Sequence, residues 1–358
     1  MPATIAAIAT AVPPHRIAQS DAAEIAKHYS CATAAQERLF LSLYRRSGVE
    51  TRYSVVLDRS DGDLAGRQSF YTQAGPTTRD RMQKYAEHAA SLAVAASGRA
   101  LAEARVVPDR VTHVVTVSCS GFHAPGFDVA LIKQHGLPAR TARTHLGFMG
   151  CHGLLNGLRV SRAFVEADAS ACVLLCAVEL CSLHHQYDWD SDQIVANALF
   201  ADGAAALVVL PWEVHTARAY RLQATGSTLI DDSEDAMSWR IGDHGFTMTL
   251  SPRVPELIGR HVRPWLVDWL ALHGLTLARV GSWAVHPGGP RILSSFGEAV
   301  GLDRSALDPS YRVLAEFGNM SSPTIAFILQ RLRQAQAPRP CVALAFGPGL
   351  AAEAAILD

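Results

Sequence analysis

No run of like charge interrupts this chain, and its formal net charge is −1 over 358 residues. That balance argues against a nucleic-acid partner or an anionic membrane surface, since both reward concentrated Lys and Arg. No stretch of about 20 apolar residues is present, so no helical membrane span is expected. The CxxC spacing of common zinc sites is missing, and no metal is expected. The seven cysteines are Cys31, Cys119, Cys151, Cys172, Cys176, Cys181 and Cys341. An odd number without paired spacing suits small buried hydrophobes in a reducing cytoplasm better than a secreted disulfide scaffold. The apolar N-terminus has no basic stretch ahead of it and reads as a first strand rather than a secretion signal. Linkers and low-complexity tracts are also lacking.

What the chain does have is apolar content, 49% of its residues, enough for a large core in two domains or in one domain of two similar halves. Short apolar runs predict buried strands at Thr4–Val12, Val111–Val117, Ala171–Val178, Ala204–Leu210, Gly281–Val285 and Cys341–Phe346. Helical spacing predicts helices over Asp80–Ala104, Gly153–Ala167, Arg253–Leu272 and Pro323–Leu332. Strands alternating with helices indicate an α/β fold with buried sheets. There is also an internal echo. VVTVSCSGFHAPG answers SWAVHPGGPRIL, and ALFADGAAALVVL answers LAFGPGLAAEAAIL. GFMGCHGLLNGL answers FGNMSSPTIAFIL, with Cys151 and Asn319 in register 168 positions apart. Three echoes in the same order predict two similarly folded halves, 1–213 and 214–358.

Three residues carry the candidate chemistry. Cys151 sits in Gly147-Phe-Met-Gly-Cys-His-Gly just ahead of a helix. There the free amides and the positive end of the macrodipole favour thiolate, the nucleophilic form. His286 ends an apolar strand beside Pro287-Gly-Gly-Pro290, a place that faces pockets. Asn319 lies in Phe317-Gly-Asn-Met-Ser-Ser-Pro323 at a helix start. Taken singly, each has a plain reading: a buried Cys, a turn His, a capping Asn. Together, a thiolate, a His to hold it and an amide donor suit acyl transfer between thioesters. The order Cys…His…Asn also occurs in papain-like proteases, so the order alone decides nothing.

The local motifs go further. GFMGCHG, ALFADGAAALVV, WAVHPGGPRIL, FGNMSSPTIAFIL and AFGPGL, from about residue 111 to the end, closely resemble the type III polyketide synthases of the chalcone and stilbene synthase superfamily. The resemblance implies a thiolase fold of five layers, αβαβα, in a homodimer. It implies that Cys151 takes a starter acyl group from acyl-CoA. His286 and Asn319 would then stabilise the enolate left when malonyl-CoA loses CO2. Claisen condensation follows, and closure gives a pyrone or a resorcinol-type phenol. No cofactor is implied, because CO2 release drives each cycle. The rival readings are a single-condensation β-ketoacyl synthase, a non-catalytic synthase partner and a cysteine hydrolase.

By the same resemblance Phe200 and Met248 fall on two gatekeeper positions, the second usually Phe. Cys119, Cys181, His184 and Ser321 fall on cavity-wall positions. His184 brings bulk and a titratable group, so a cavity unlike that of chalcone synthase and an alkyl or other non-phenylpropanoid starter are expected. His123–Gly126 matches a loop that reaches towards the neighbouring subunit. Arg46 matches one position that holds the CoA phosphates, with Arg45 and Arg52 as basic neighbours.

Overall fold

The computed structural model describes residues 2–211 and 219–358. The boundary expected at 213/214 therefore lies outside the described residues. The strands are β1 Ala3–Ala11, β2 Arg16–Ala18, β3 Thr51–Tyr53, β4 His113–Ser118, β5 Ala142–Gly147, β6 Val173–Leu180 and β7 Asp202–Pro211. After them come β8 Tyr220–Leu229, β9 Met237–Gly242, β10 Gly245–Leu250, β11 Ser282–Val285, β12 Cys341–Gly347 and β13 Ala351–Leu357. The helices of the first half are α1 Gln19–Ser30, α2 Ala34–Arg46, α3 Thr78–Ala104, α4 Phe127–His135, α5 Gly153–Ala167 and α6 Ser191–Leu199. The second half adds α7 Val254–Leu272, α8 Pro290–Val300, α9 Asp308–Phe317 and α10 Thr324–Gln334.

Nine strands form one sheet in the order β11-β12-β13-β8-β1-β7-β6-β4-β5. The order is a repeat with its axis between β1 and β8. On one side β1 and β7 are antiparallel, β7 and β6 antiparallel, and β6 and β4 parallel. On the other side β8, β13, β12 and β11 pair in the same senses. β1 and β8 touch only over Ala3–Ile5 against Leu222–Tyr220, so the two wings are joined by a narrow seam.

Helices fill the space between the wings and cover both outsides. Leu154, Leu155 and Leu158 of α5 and Ile325, Ile328 and Leu329 of α10 pack in one core with Val115, Val173, Leu175, Leu207 and Ala343. α3 covers the outer face of the first wing. α7 and α8 cover the outer face of the second. This gives five layers, the αβαβα order of the thiolase fold. β6 shows why the strands read as continuous apolar runs. Val173, Leu175 and Ala177 enter the central core while Leu174, Cys176 and Val178 enter the outer one. A strand buried on both faces has no polar side to alternate with. In β1 the register slips between Ile5 and Ala7. That bulge switches the core-facing parity from Ala3 and Ile5 to Ile8.

The strands and helices expected from the sequence lie where they were expected, within a few residues at their ends. β8, β13 and the β9–β10 hairpin were not read from the sequence. β8 carries Gln223, Thr225, Gly226 and Ser227, which dilute the apolar signal until sheet pairing overrides it.

Candidate active site

Cys151 lies in a short 3-10 turn, Gly150–His152, between β5 and α5. Gly150 holds φ +68°, and a Cβ there would come 2.3 Å from Cδ of Pro348. Only glycine allows the loop after β12 to close over the nucleophile turn. Phe148 also takes a left-handed φ, +58°, which costs on the order of 1 kcal/mol in a residue with a side chain.

Asn319 is held by backbone. Its N–H donates to the Leu199 carbonyl at 2.8 Å, and its carbonyl accepts from Ala201 N–H at 3.0 Å. Its side-chain Oδ1 accepts from Ser321 N–H at 2.8 Å. With Oδ1 committed, the amide presents Nδ2 to Cys151, and this contact favours the charged form of the thiol. An enolate or oxyanion needs the same donor end.

His286 follows β11 and is anchored by its N–H to the Leu344 carbonyl at 2.8 Å. Its ring is buried, and neither ring nitrogen has a hydrogen-bond partner. Cys151, His286 and Asn319 line one cavity of about 450 Å³ together with Phe200, Met248 and Phe346. Burial pushes the Cys151 thiol up to about 11, opposed by hydrogen bonds from Ser321 and Asn319. Burial, assisted by nearby His152, pushes His286 down to about 3. Neither group therefore charges alone. A thiolate here requires the proton to pass to a partner inside the cavity, and His286 has the open nitrogens.

Phe200 and Met248 line this cavity and also a second chamber of about 810 Å³. They form the wall between the two. Ala22, Ile25 and Ala26 of α1 and Val56 and Leu57 give the chamber an apolar side. Cys181 and His184 line it too. His184 is not a free titratable group. Its Nε2 donates to the Ser120 carbonyl at 2.6 Å, and its Nδ1 accepts from Phe246 N–H at 2.9 Å. Burial holds it down to about 3, so it is a neutral strut stacked 4.2 Å from the Phe246 ring. Cys119 and Ser321, expected on the wall, line neither of these two cavities; they meet each other instead, Sγ to Oγ 3.4 Å, and burial pushes the Cys119 thiol well up.

Two basic residues part company. Arg46 is exposed at the end of α2. Arg52 is buried, with Nη1 donating to the Asn197 and Phe200 carbonyls at 2.6 and 2.9 Å. It belongs to the C-terminus of α6 and to the chamber, not to a basic outer face.

Sequence reasoning missed Glu179 and Trp239. Glu179, on β6, is fully buried and accepts from Cys119 N–H, Ser120 N–H and the hydroxyls of Ser120 and Ser322, at 2.6 to 2.9 Å. It ties the loop after β4 to the Asn319 loop across the two halves. A lone Glu inside VLLCAVELC was the available signal, because a charge in a buried strand needs partners. Trp239, on β9, lines the chamber, donates its indole N–H to the Cys119 carbonyl at 2.7 Å, and sets its ring edge-on to His184 and Phe246. Nothing local distinguishes it from a core Trp.

Known proteins place this geometry. Residues 1–211 match the family model of the N-terminal domain of chalcone and stilbene synthases, and residues 221–358 match the C-terminal domain. The chain is 33% identical to an alpha-pyrone synthesis polyketide synthase-like protein, Pks18, of Mycobacterium tuberculosis, over 99% of this chain and 91% of that one. It is also 33% identical to the 1,3,6,8-tetrahydroxynaphthalene synthase of Streptomyces peucetius, over 99% and 92%. Among solved structures, PKS-I of the brown alga Ectocarpus siliculosus superposes with TM-score 0.93 at 29% identity, covering 99% and 98% of the two chains. The tetrahydroxynaphthalene synthase of Streptomyces coelicolor A3(2) superposes at 0.88 and 28%, covering 99% of this chain and 98% of that one. The chain belongs to the chalcone and stilbene synthase family. It is a type III polyketide synthase, an acyl-transferring condensing enzyme that loads a starter and extends it with malonyl-CoA.

Proposed function

From that membership we propose how this chain divides the work and what it accepts. Cys151 attacks the starter thioester, its proton passing to His286 and then to the departing CoA sulfur. Malonyl-CoA then binds with its thioester oxygen between His286 and Asn319 Nδ2. Loss of CO2 leaves an enolate, which those two groups stabilise. The enolate carbon attacks the acyl-Cys151 carbonyl and the Cys151 sulfur leaves. One proton is taken up for each CO2 released. CO2 release supplies the driving force, and the steps call on no cofactor.

The observation that carries this reading is the convergence of Cys151, His286 and Asn319 on one cavity wall. The adjoining apolar chamber behind Phe200 and Met248 supports an aliphatic starter, and closure to a pyrone or resorcinol-type product. Trp239 and Met248 limit how the chain folds there, while Arg46 guides the CoA phosphates from outside. The working unit is a homodimer, with His123–Gly126 reaching towards the partner's cavity. We place the enzyme in the cytoplasm, where its thioester substrates are made. Among the described residues no helix is long and apolar enough to cross a membrane.

The test is to incubate the pure protein with malonyl-CoA and a panel of acyl-CoAs and to read products by mass. The reading expects several malonyl units per product and a preference for alkyl over phenylpropanoid starters. Single-extension products from every starter would overturn it.

A further inference from the structure

The chamber behind Phe200 and Met248 is apolar on its α1 side, but another part of its wall is not. Tyr44 from α2, Arg52 from β3 and His185 after β6 all line it. The Tyr44 hydroxyl is buried, with the residue 1% exposed; it faces the Arg52 guanidinium, and its own proton has no acceptor. The Arg52 guanidinium carbon lies 5.6 Å from the centre of the Tyr44 ring. Only its Nη1 reaches carbonyl acceptors. His185 Nε2 is buried and unpartnered as well. Three donor-capable groups from three separate elements thus share one cavity, and two of them, the Tyr44 hydroxyl and His185 Nε2, lack an acceptor. Buried polar groups are seldom left so, because each unmet group has lost its water without gaining a partner.

The charge balance points the same way. Arg81 is 1% exposed and lies beside this chamber, donating to the Leu183 and His185 carbonyls at 2.6 and 3.0 Å. Among the described residues neither Arg52 nor Arg81 has a carboxylate within salt-bridge distance. The nearby Asp202 carboxylate is occupied by Val55 N–H, Ser182 N–H and the Ser182 hydroxyl. Burial first, and then both cations, push His185 towards its neutral form. The helix-capping bonds of Arg52 engage Nη1, and its other N–H groups meet the Tyr44 phenol but no carboxylate. A planar guanidinium beside a phenol is a receptor for a carboxylate.

We infer that the chamber binds an acyl group bearing a carboxylate at its far end, an ω-carboxyacyl thioester, through Arg52, the Tyr44 hydroxyl and His185 Nε2. The methylenes lie along Ala22, Ile25 and Val56, and the thioester end reaches Cys151 past Phe200. This rests on the starter-loading reading of Cys151 and adds the substrate class. One chain length should fit best, because both ends are fixed.

The experiment compares dicarboxylic monothioesters from succinyl-CoA to sebacyl-CoA with the unsubstituted acyl-CoA of each length. Readouts are kcat/KM for product and the mass of acylated Cys151. At one length the ω-carboxy thioester should be preferred by about tenfold or more, and Tyr44→Phe should remove most of that ratio. Removing an unsatisfied hydroxyl leaves the ring packing intact, and the preference of the unaltered enzyme is informative by itself. Preference for the plain acyl chain at every length would overturn the inference, as would a ratio unmoved by Tyr44→Phe. Either result leaves the polyketide synthase reading standing, whereas failure to load or extend any starter would remove both.

Discussion

Asn319 and Phe200 are parallel bridge partners, with the Asn319 backbone bonded to Leu199 and Ala201, the chain neighbours of Phe200. The amide that faces Cys151 and the aromatic that separates the two cavities are therefore fixed to one another. A shift in the gate displaces the oxyanion donor, so substitutions at Phe200 should alter kcat as well as starter choice.

The first prediction separates loading from decarboxylation. Cys151→Ala should abolish acyl-enzyme and polyketide yet retain some malonyl-CoA decarboxylation, since His286 and Asn319 remain. Asn319→Ala should lower both activities by on the order of 10²–10³-fold, the usual loss for one oxyanion donor. Full-length product from the Cys151→Ala protein would sink this division of labour.

The second concerns protonation. Burial raises the Cys151 thiol and depresses His286, so the proposed mechanism predicts that the thiolate forms at neutral pH by pairing with His286⁺. An opposite charge beside the sulfur lowers its pKa. Iodoacetamide inactivation should thus show an inflection below the free-thiol value of about 8.5 in the native enzyme. In His286→Ala it should move strongly upward, towards the value of about 11 that burial sets. Identical pH profiles for the two proteins would disprove the pair.

A third prediction is about cavity shape. Trp239→Ala removes a large ring from the chamber wall and should lengthen or redirect the product. Met248→Phe should narrow the passage and shift the starter preference. His184→Thr is of another kind, because it strips acceptor and donor from Phe246 N–H and the Ser120 carbonyl. It should cost about 2 kcal/mol of stability, visible in the melting curve. An unchanged product spectrum from both Trp239→Ala and Met248→Phe would mean that these side chains do not shape the path.

The fourth prediction tests the buried carboxylate. Glu179→Ala leaves the Cys119 and Ser120 amides and the Ser322 hydroxyl without their acceptor. A loss of roughly 3 kcal/mol or more is expected, with Tm falling by several degrees. A Tm equal to that of the native protein would show that the Glu179 bonds do not hold the two halves together.

The elements legible in the sequence were those whose pattern is locally complete. β6, β7 and β12 are buried on both faces and announce themselves as unbroken apolar runs, and α5 and α10 follow small-residue turns. The hairpin of β9 and β10 has no such signal. It exists because it covers the cavity, with Trp239 and Met248 pointing at partners far away in sequence. His184 was read as a titratable wall residue because its type was visible and its two hydrogen bonds were not.

What the sequence by itself determined is the chemistry and the repeat. Cys151, His286 and Asn319 sit in turns that end a strand or open a helix, and such local frames are set by nearby residues. Their echo across the chain gave the two halves. What only the tertiary structure decided is everything that depends on charge in a buried place. The neutrality of His184, the bonds that surround Glu179 and the unmet Tyr44 hydroxyl and His185 Nε2 all follow from contacts between separate elements. Desolvation is a property of the folded interior, and no local pattern records it.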